Sequence, residues 1–501
     1  MHRCELDGII NEECGIAALC GSVQKPFADE GSRAVKLGIE TIYALQHRGQ
    51  SGAGMAVSDG TTTRYHKGSG LIRHVLCANQ FGADLNPVVS IYHTRYGTFG
   101  NNEYNNLHPH VLVDTRFGTI AVVHNGTLTN SKELRMELSN KGVGFFSNGD
   151  TEVIPNLIMR SECADLKSAI IDAVNRLEGA FCLLIMVNDR VFAIRDNHGV
   201  RPLAYSQGNL LGYGKVTVVA SETCALQAIG FTQWQDVTPG HMLTISADGI
   251  ESDEAILPQA HHLHCSFCWQ YFSKPESELD GSSVYLARKS AGYLLANQGL
   301  KTGIYPEVEL ANGQPDDLIV IPIPDSAWPA TLGYCKALGV TPDMALSRDV
   351  WCTVRSFLES RGRSEAAGAK VRAILAMLRE KRVVFIDDSI VRGTTTQKLV
   401  QLMHEALATE IHARIVMPPV RWPCYYGIDM ATEAELIAAR CGGDVEAIRH
   451  EISPHLDTLA YLSLESHLVA CGSKLGPDCT RCHACFSGFR NGLQIPTGAV
   501  R

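Results

Sequence analysis

The chain has 501 residues, a formal net charge of -9, 19% charged residues and 45% hydrophobic residues. That leaves room for two or more globular domains and excludes a broadly basic nucleic-acid binder, so any small anionic substrate needs a local positive site. No apolar run has membrane-spanning length, the start Met1-His2-Arg3-Cys4-Glu5 lacks a secretory pattern, and the 17 Cys fit reduced thiols in a cytoplasmic setting better than a disulfide framework.

After Asn11-Glu12-Glu13 the chain turns apolar, from Cys14 to Gly21. Helical patterns follow at 31–46, 131–141 and 151–160, and strand patterns at 118–124, 180–187 and 190–195. This alternation predicts a layered α/β domain ending near residue 250. Several short segments within it are rich in reactive types: Leu45-Gln46-His47-Arg48-Gly49-Gln50, His93-Thr94-Arg95-Tyr96, His124-Asn125-Gly126 and Asn148-Gly149-Asp150-Thr151-Glu152. Each has an ordinary reading by itself. A lone Cys14 is a buried thiol, a lone Arg95 a surface ion-pair partner, and Asn125-Gly126 a turn.

Taken together and in this order, with Cys14 in front, they resemble the glutaminase domain of N-terminal-nucleophile amidotransferases. The resemblance implies an αββα layered domain over 14–250 and a propeptide over 1–13, whose removal makes Cys14 the first residue. The Cys14 thiol would then attack the glutamine amide, with its own α-amino group as base, because the thiolate is the reactive species. By the same resemblance Arg95 holds the glutamine α-carboxylate and Asp150 the α-ammonium, and Arg48 belongs to the glutamine pocket. The Asn125 side chain and the Gly126 N–H would form the oxyanion hole.

Between 245 and 262 the chain is acidic and then His-rich, with Glu251-Ser252-Asp253-Glu254 followed by His261-His262-Leu263-His264. This reads as a solvated interdomain connection, with metal binding by the histidines as the alternative. The next segment, Cys265 to Ser277, resembles the stretch joining the two domains of glutamine phosphoribosyl-pyrophosphate (PRPP) amidotransferases, the first enzymes of purine synthesis.

Buried-strand runs at 317–323, 382–386 and 410–417, with helical patterns between them, predict a doubly wound parallel sheet within 262–495. Pro324-Asp325-Ser326 closes the first run. The second ends in Asp387-Asp388, then Ser389-Ile390-Val391-Arg392-Gly393-Thr394-Thr395-Thr396 and a helix from Gln397 to about Ala408. A loop N–H row at a helix start suits a phosphate monoester, and the carboxylates suit ribose hydroxyls or hydrated Mg2+. The stretch resembles the PRPP loop of type I phosphoribosyltransferases. That implies PRPP on Asp387, Asp388, Ser389, Val391, Arg392, Gly393, Thr394 and Thr395, and Mg2+ near Ser326, Asp387 and Asp388.

Cys265, the Cys424 of Trp422-Pro423-Cys424, and Cys479-Thr480-Arg481-Cys482-His483-Ala484-Cys485 resemble the subgroup of these amidotransferases with a 4Fe-4S cluster. The ligands this implies are Cys265, Cys424, Cys482 and Cys485. Cys268 and Cys479 stay open as substitutes, and zinc as the other metal for four thiolates.

One stretch departs from the family. Its basic loop Lys-Asn-Arg-Tyr-Val-Gly-Arg-Thr-Phe corresponds here to 347–358, where Arg355 and Phe357 match and Asp349 has entered. Arg355 is therefore expected at PRPP, with Arg348, Arg361 or Arg363 replacing the missing positive charge. The expected reaction is glutamine, PRPP and water giving 5-phosphoribosylamine, pyrophosphate and glutamate. A different phosphorylated acceptor, or a regulator without turnover, are the alternatives. The resemblance also implies a homotetramer inhibited by purine nucleotides.

Overall fold

The computed structural model describes residues 14–21, 32–82, 85–96, 104–348, 371–430 and 432–496. The first half packs two antiparallel sheets face to face. The seven-stranded sheet runs Gln235–Asp236, Ala204–Leu210, Gly214–Ala220, Gly15–Cys20, Val89–Arg95, Gly52–Ser58 and Thr63–Ser69. The six-stranded sheet runs Gly249–Ala255, His241–Ser246, Arg190–Arg195, Gly179–Val187, Gly118–Leu128 and His110–Asp114.

Side chains alternate across each strand, and here both faces are covered. Ile16, Ala18 and Cys20 enter the core between the sheets beside Ala121, Val123 and Leu184. Ala17 and Leu19 point the other way, onto the helix Arg33–Tyr43. The helices Ser131–Asn140, Val153–Arg160 and Leu166–Val174 cover the outer face of the six-stranded sheet. These are the expected αββα layers, and they explain why the run after Cys14 is apolar without a break.

The second half holds a parallel four-stranded sheet in the order Leu318–Pro322, Arg382–Asp387, Glu410–Ile415 and Thr458–Tyr461. Val320, Val384 and Ile386 pack against the helices Val284–Thr302 and Trp328–Leu338. Ile319, Ile321, Val383 and Phe385 face the helices Thr394–Glu405 and Val445–Ile452. The expected double winding is present. The first two helices approach closely: a Cβ on Gly292 would lie 1.8 Å from the Ala330 carbonyl oxygen, and one on Gly333 1.8 Å from that of Lys289.

The 245–262 reading is corrected. His241–Ser246 and Gly249–Ala255 form a hairpin at the edge of the six-stranded sheet, so that sheet continues past residue 250. The acidic residues lie on a half-exposed edge strand, where charges discourage pairing with other chains. His264 is not solvated either: it is buried beside Trp269, with Nδ1 2.8 Å from Asp280 Oδ2. Among the described residues no helix is long and apolar enough to cross a membrane.

Candidate active sites and a thiol-lined cavity

Cys14 stands one residue ahead of the strand Gly15–Cys20, whose Gly15 pairs with Thr94. That register sets the thiol beside Arg95 and Tyr96. The Tyr96 N–H donates to Cys14 Sγ at 3.4 Å, and the thiol lies 3.6 Å from the Tyr96 carbonyl oxygen. Burial pushes the Cys14 thiol up, and the Arg95 guanidinium opposes it. A thiol in that balance needs a base at the moment of reaction.

Asn125 and Gly126 come from the other sheet, opposite Cys182 and Phe181. The Asn125 side chain is buried and its Nδ2 has no hydrogen-bond partner among the described residues. An unspent buried donor is costly unless a ligand takes it, which is what a waiting oxyanion site looks like. Gly126 has φ +143, and a Cβ there would lie 2.0 Å from the Ala180 carbonyl oxygen. Gly126→Ala is therefore expected to cost about 1–3 kcal/mol of stability. A thermal melt with an unchanged midpoint would contradict this packing.

Asp150 is fixed by the Leu128 N–H to Oδ2 at 2.9 Å and the Thr151 hydroxyl to Oδ1 at 3.2 Å. His124 Nδ1 lies 3.8 Å from the same Oδ1, and burial keeps that imidazole below its ordinary range. Arg48 ends the short turn Gln46–Arg48 and is buried. Its Nε donates to the Cys14 carbonyl oxygen at 3.1 Å and its Nη1 to Glu222 Oε1 at 2.5 Å. Arg48 thus grips the main chain of the proposed nucleophile.

In the second half, the parallel pairing of Leu318–Pro322 with Arg382–Asp387 brings Ser326 to the end of the Asp387 strand. The Ser326 hydroxyl donates to Asp388 Oδ2 at 2.6 Å and the Ser389 hydroxyl to Oδ1 at 2.8 Å. The Asp388 N–H donates to Asp387 Oδ1 at 2.9 Å. Burial first, and for Asp387 the neighbouring Asp388 charge second, hold both carboxyls above the ordinary range. Two buried carboxylates in that state fit a hard cation with oxygen ligands.

The helix beyond begins at Thr394, three residues before the expected start, and its Thr394 Oγ1 is buried without a partner among the described residues. Val391 is a core side chain whose carbonyl accepts from the Ile437 N–H at 2.9 Å, leaving only its backbone for a ligand role. Arg392 turns toward Glu435, with Nη2 2.5 Å from Oε2. Arg348 Nη1 donates to Asp325 Oδ2 at 2.9 Å, beside Ser326. Arg355, Arg361 and Arg363, like residues 1–13, lie outside the described residues.

Cys265, Cys424, Cys482 and Cys485 line one cavity, together with Arg201 and Tyr426. Cys265 sits opposite Cys482 in a short parallel bridge, His264–Cys265 with Arg481–Cys482. The Cys485 carbonyl accepts from the Arg421 and Trp422 N–H groups, which draws the Cys424 segment alongside. The Cys265 thiol is held below its ordinary range, chiefly by a hydrogen bond from Cys268 and against its burial, with Arg201 assisting. Burial raises Cys424 and Cys485. Four soft donors around a mainly apolar cavity, one already disposed to be a thiolate, fit a thiolate-bound metal centre. Of the two substitutes, Cys268 lies against Cys265 outside the lining, and Cys479 Sγ is 3.4 Å from the Arg481 carbonyl oxygen.

His262, His264 and Asp280 also converge within 4.8 Å. Arg195 Nη2 and Arg481 Nη1 lie 3.5 and 3.4 Å from that same carboxylate. Two guanidinium groups already neutralise it, so the arrangement opposes a further cation.

Three buried residues escaped the sequence reading. Glu222 receives Arg48, and Arg201 Nε donates to the Tyr426 carbonyl oxygen at 2.8 Å across the two halves. Arg288 donates to the carbonyl oxygens of Trp269, Tyr271 and Ser273 at 2.9, 2.8 and 2.6 Å. No local pattern marks them, because each acts through partners far away in sequence.

A glutamine amidotransferase domain family matches residues 108–228. The amidophosphoribosyltransferase of Bacillus subtilis (strain 168) is 36% identical over 487 residues, covering 97% of this chain and 95% of its own length. That of Methanothermobacter thermautotrophicus is 36% identical over 479 residues, covering 94% of each. The structure of B. subtilis glutamine PRPP amidotransferase complexed with ADP and GMP superposes with a TM-score of 0.83 at 35% identity, covering 97% of this chain and 99% of that one. With both halves of the fold matched along nearly its whole length, this chain belongs to the amidophosphoribosyltransferase family.

Proposed function

We propose that the protein converts glutamine, PRPP and water into 5-phosphoribosylamine, pyrophosphate and glutamate, the entry step of purine synthesis. The observation that supports this best is the joint presence of both sites in one chain. In the first half Cys14 sits at the Tyr96 N–H and the Asn125 side chain is buried, and in the second Ser326 joins Asp387 and Asp388 at the strand ends, which supports the reading.

Removal of residues 1–13 would free the Cys14 α-amino group to take the thiol proton as sulfur attacks the glutamine amide carbon. The Asn125 Nδ2 and the Gly126 N–H would hold the oxyanion, and Arg95 and Asp150 the α-carboxylate and α-ammonium. Collapse releases ammonia, and water then cleaves the thioester to glutamate. In the second half the 389–396 loop would seat the 5-phosphate while ammonia attacks C1 of the ribose and pyrophosphate leaves. Mg2+ near Ser326, Asp387 and Asp388 would neutralise the departing pyrophosphate.

Cys265, Cys424, Cys482 and Cys485 would hold a 4Fe-4S cluster with a structural role. Cys424→Ala is expected to abolish the visible absorbance and most of the iron of anaerobically purified protein, while Cys479→Ala keeps both. Stoichiometric zinc without iron in the unaltered protein would point to the other thiolate metal. Reduced thiols and such a cluster favour a cytoplasmic setting. Purine nucleotides as inhibitors and a homotetramer complete the proposal, the first because the B. subtilis structure holds ADP and GMP.

The test is phosphorus NMR of processed, anaerobic protein with Mg2+, PRPP and glutamine. Glutamine-dependent pyrophosphate release is the expected result. Glutamate formation with PRPP intact would redirect the ammonia to another acceptor.

A further inference from the structure

We propose that Glu222 is a positioning residue for the glutaminase half-reaction: its one buried carboxylate ties the main chain of Cys14 to the first segment of the second half. Glu222 is 0% exposed and takes donors from both halves, with the Cys224 thiol of its own half also 3.7 Å from Oε2. Oε1 accepts from Arg48 Nη1 at 2.5 Å and lies 2.9 Å from His47 Nε2. Oε2 accepts from the Lys274 N–H at 3.0 Å and the Ser277 hydroxyl at 2.8 Å. On the first side Arg48 continues to the Cys14 carbonyl oxygen. A second stitch runs alongside, where the Glu278 N–H donates to Thr223 Oγ1 at 2.8 Å.

The far side leads to the other active site. The turn before Lys274 is gathered by Arg288, which takes the carbonyls of Trp269, Tyr271 and Ser273, and Asp388 is the leading charge acting on that guanidinium. The contacts therefore run from the Cys14 carbonyl through Arg48, Glu222 and the 269–277 segment to Arg288, whose guanidinium feels the Asp388 charge. A buried carboxylate cannot drop one donor without shifting toward the rest, because each charged hydrogen bond in a dry site is strong and hard to replace. Displacement on the Ser277 side is thus passed to Arg48 and to the geometry of the thiol. Neither Glu222 nor Ser277 needs to touch substrate for this.

The inference rests on the proposed function, and its experiment separates the two. Processed protein is assayed for glutaminase kcat and glutamine KM, with and without PRPP, and for ammonia-dependent pyrophosphate release. Glu222→Gln leaves the buried Arg48 without its counter-charge and risks misfolding, so Ser277→Ala is the informative variant. It is expected to lower glutaminase kcat about tenfold, the loss of one hydrogen bond to a charged group. Glutamine KM and ammonia-dependent turnover should stay within about twofold, any response of glutaminase kcat to PRPP should shrink, and Ser277→Thr should restore kcat. A Ser277→Ala protein with unchanged kcat, a change in KM alone, or an equal loss of both activities overturns the positioning role. Absence of glutaminase activity in the unaltered protein overturns the functional reading itself.

Discussion

Cys14→Ala is expected to remove glutamine-dependent synthesis, by on the order of 10^4-fold or more, while ammonia-dependent synthesis persists. The size of the loss follows from the geometry. Cys14 is the nucleophile candidate, bonded by the Tyr96 N–H and under the charge of the Arg95 guanidinium. An oxyanion site without a nucleophile retains only a small part of its effect. The ammonia reaction needs only the second half, whose carboxylates and loop are untouched. The variant should also keep residues 1–13 if Cys14 drives its own exposure, which intact-mass measurement will show. Equal loss of both activities would mean that the substitution disrupts the fold, and retained glutamine use would exclude Cys14 as the nucleophile.

Asp387→Asn is expected to lower PRPP turnover at least about 100-fold, as loss of a metal-holding carboxylate does, and at the same time to stabilise the metal-free protein. Both effects come from one arrangement: two buried carboxylates side by side, each held above the ordinary aspartate range. Because the folded values exceed the unfolded ones, their contribution to stability is present below the ordinary aspartate range. It is lost as pH rises through the raised folded values. Asn cannot ionise and can still accept from the Asp388 N–H, so its advantage should grow with pH across that window. Melts in chelator at acidic and mildly alkaline pH will show it, and an Asn variant that melts lower at both would contradict the assignment. In the unaltered protein Mg2+ must displace whatever proton the pair retains, so calorimetry in buffers of different ionisation enthalpy should show proton release.

What the sequence made legible was what it keeps local. Cys14 and the strand after it, the Asn125-Gly126 pair, and the Asp387-Asp388 strand end are each written in consecutive residues. The four cavity thiols were legible through their spacing and likeness to a known set. The hairpin over 241–255 was misread because acidic alternation on an edge strand has the composition of a linker. His264 was misread with it, since the pairing of its segment with Arg481–Cys482 cannot be inferred locally. The contact of Arg392 with Glu435, 43 residues on, was not legible locally. The helix after the loop begins at Thr394, earlier than expected, because three threonines, poor helix formers by propensity, hid its first turn from the sequence reading. Glu222 and Arg201 have partners as far as 174 and 225 residues away, Arg288 has its own 15 to 19 residues back, and no periodicity announces them.

The reciprocal contact of Gly292 and Gly333 limits how this sequence can drift or be redesigned. Replacing glycine by alanine inside a helix is a common first choice in stabilising a protein, with an intrinsic gain of about 1 kcal/mol. Here either exchange would drive a methyl group into a carbonyl oxygen of the opposing helix. Arg288 stands four residues before Gly292, one turn away on the same side of its helix. Separating the helices would therefore carry that guanidinium away from the carbonyls it gathers, at a distance from any reacting atom. Screens that reward thermal stability alone will pass over both positions, and lineages that change one are expected to show compensation at the other.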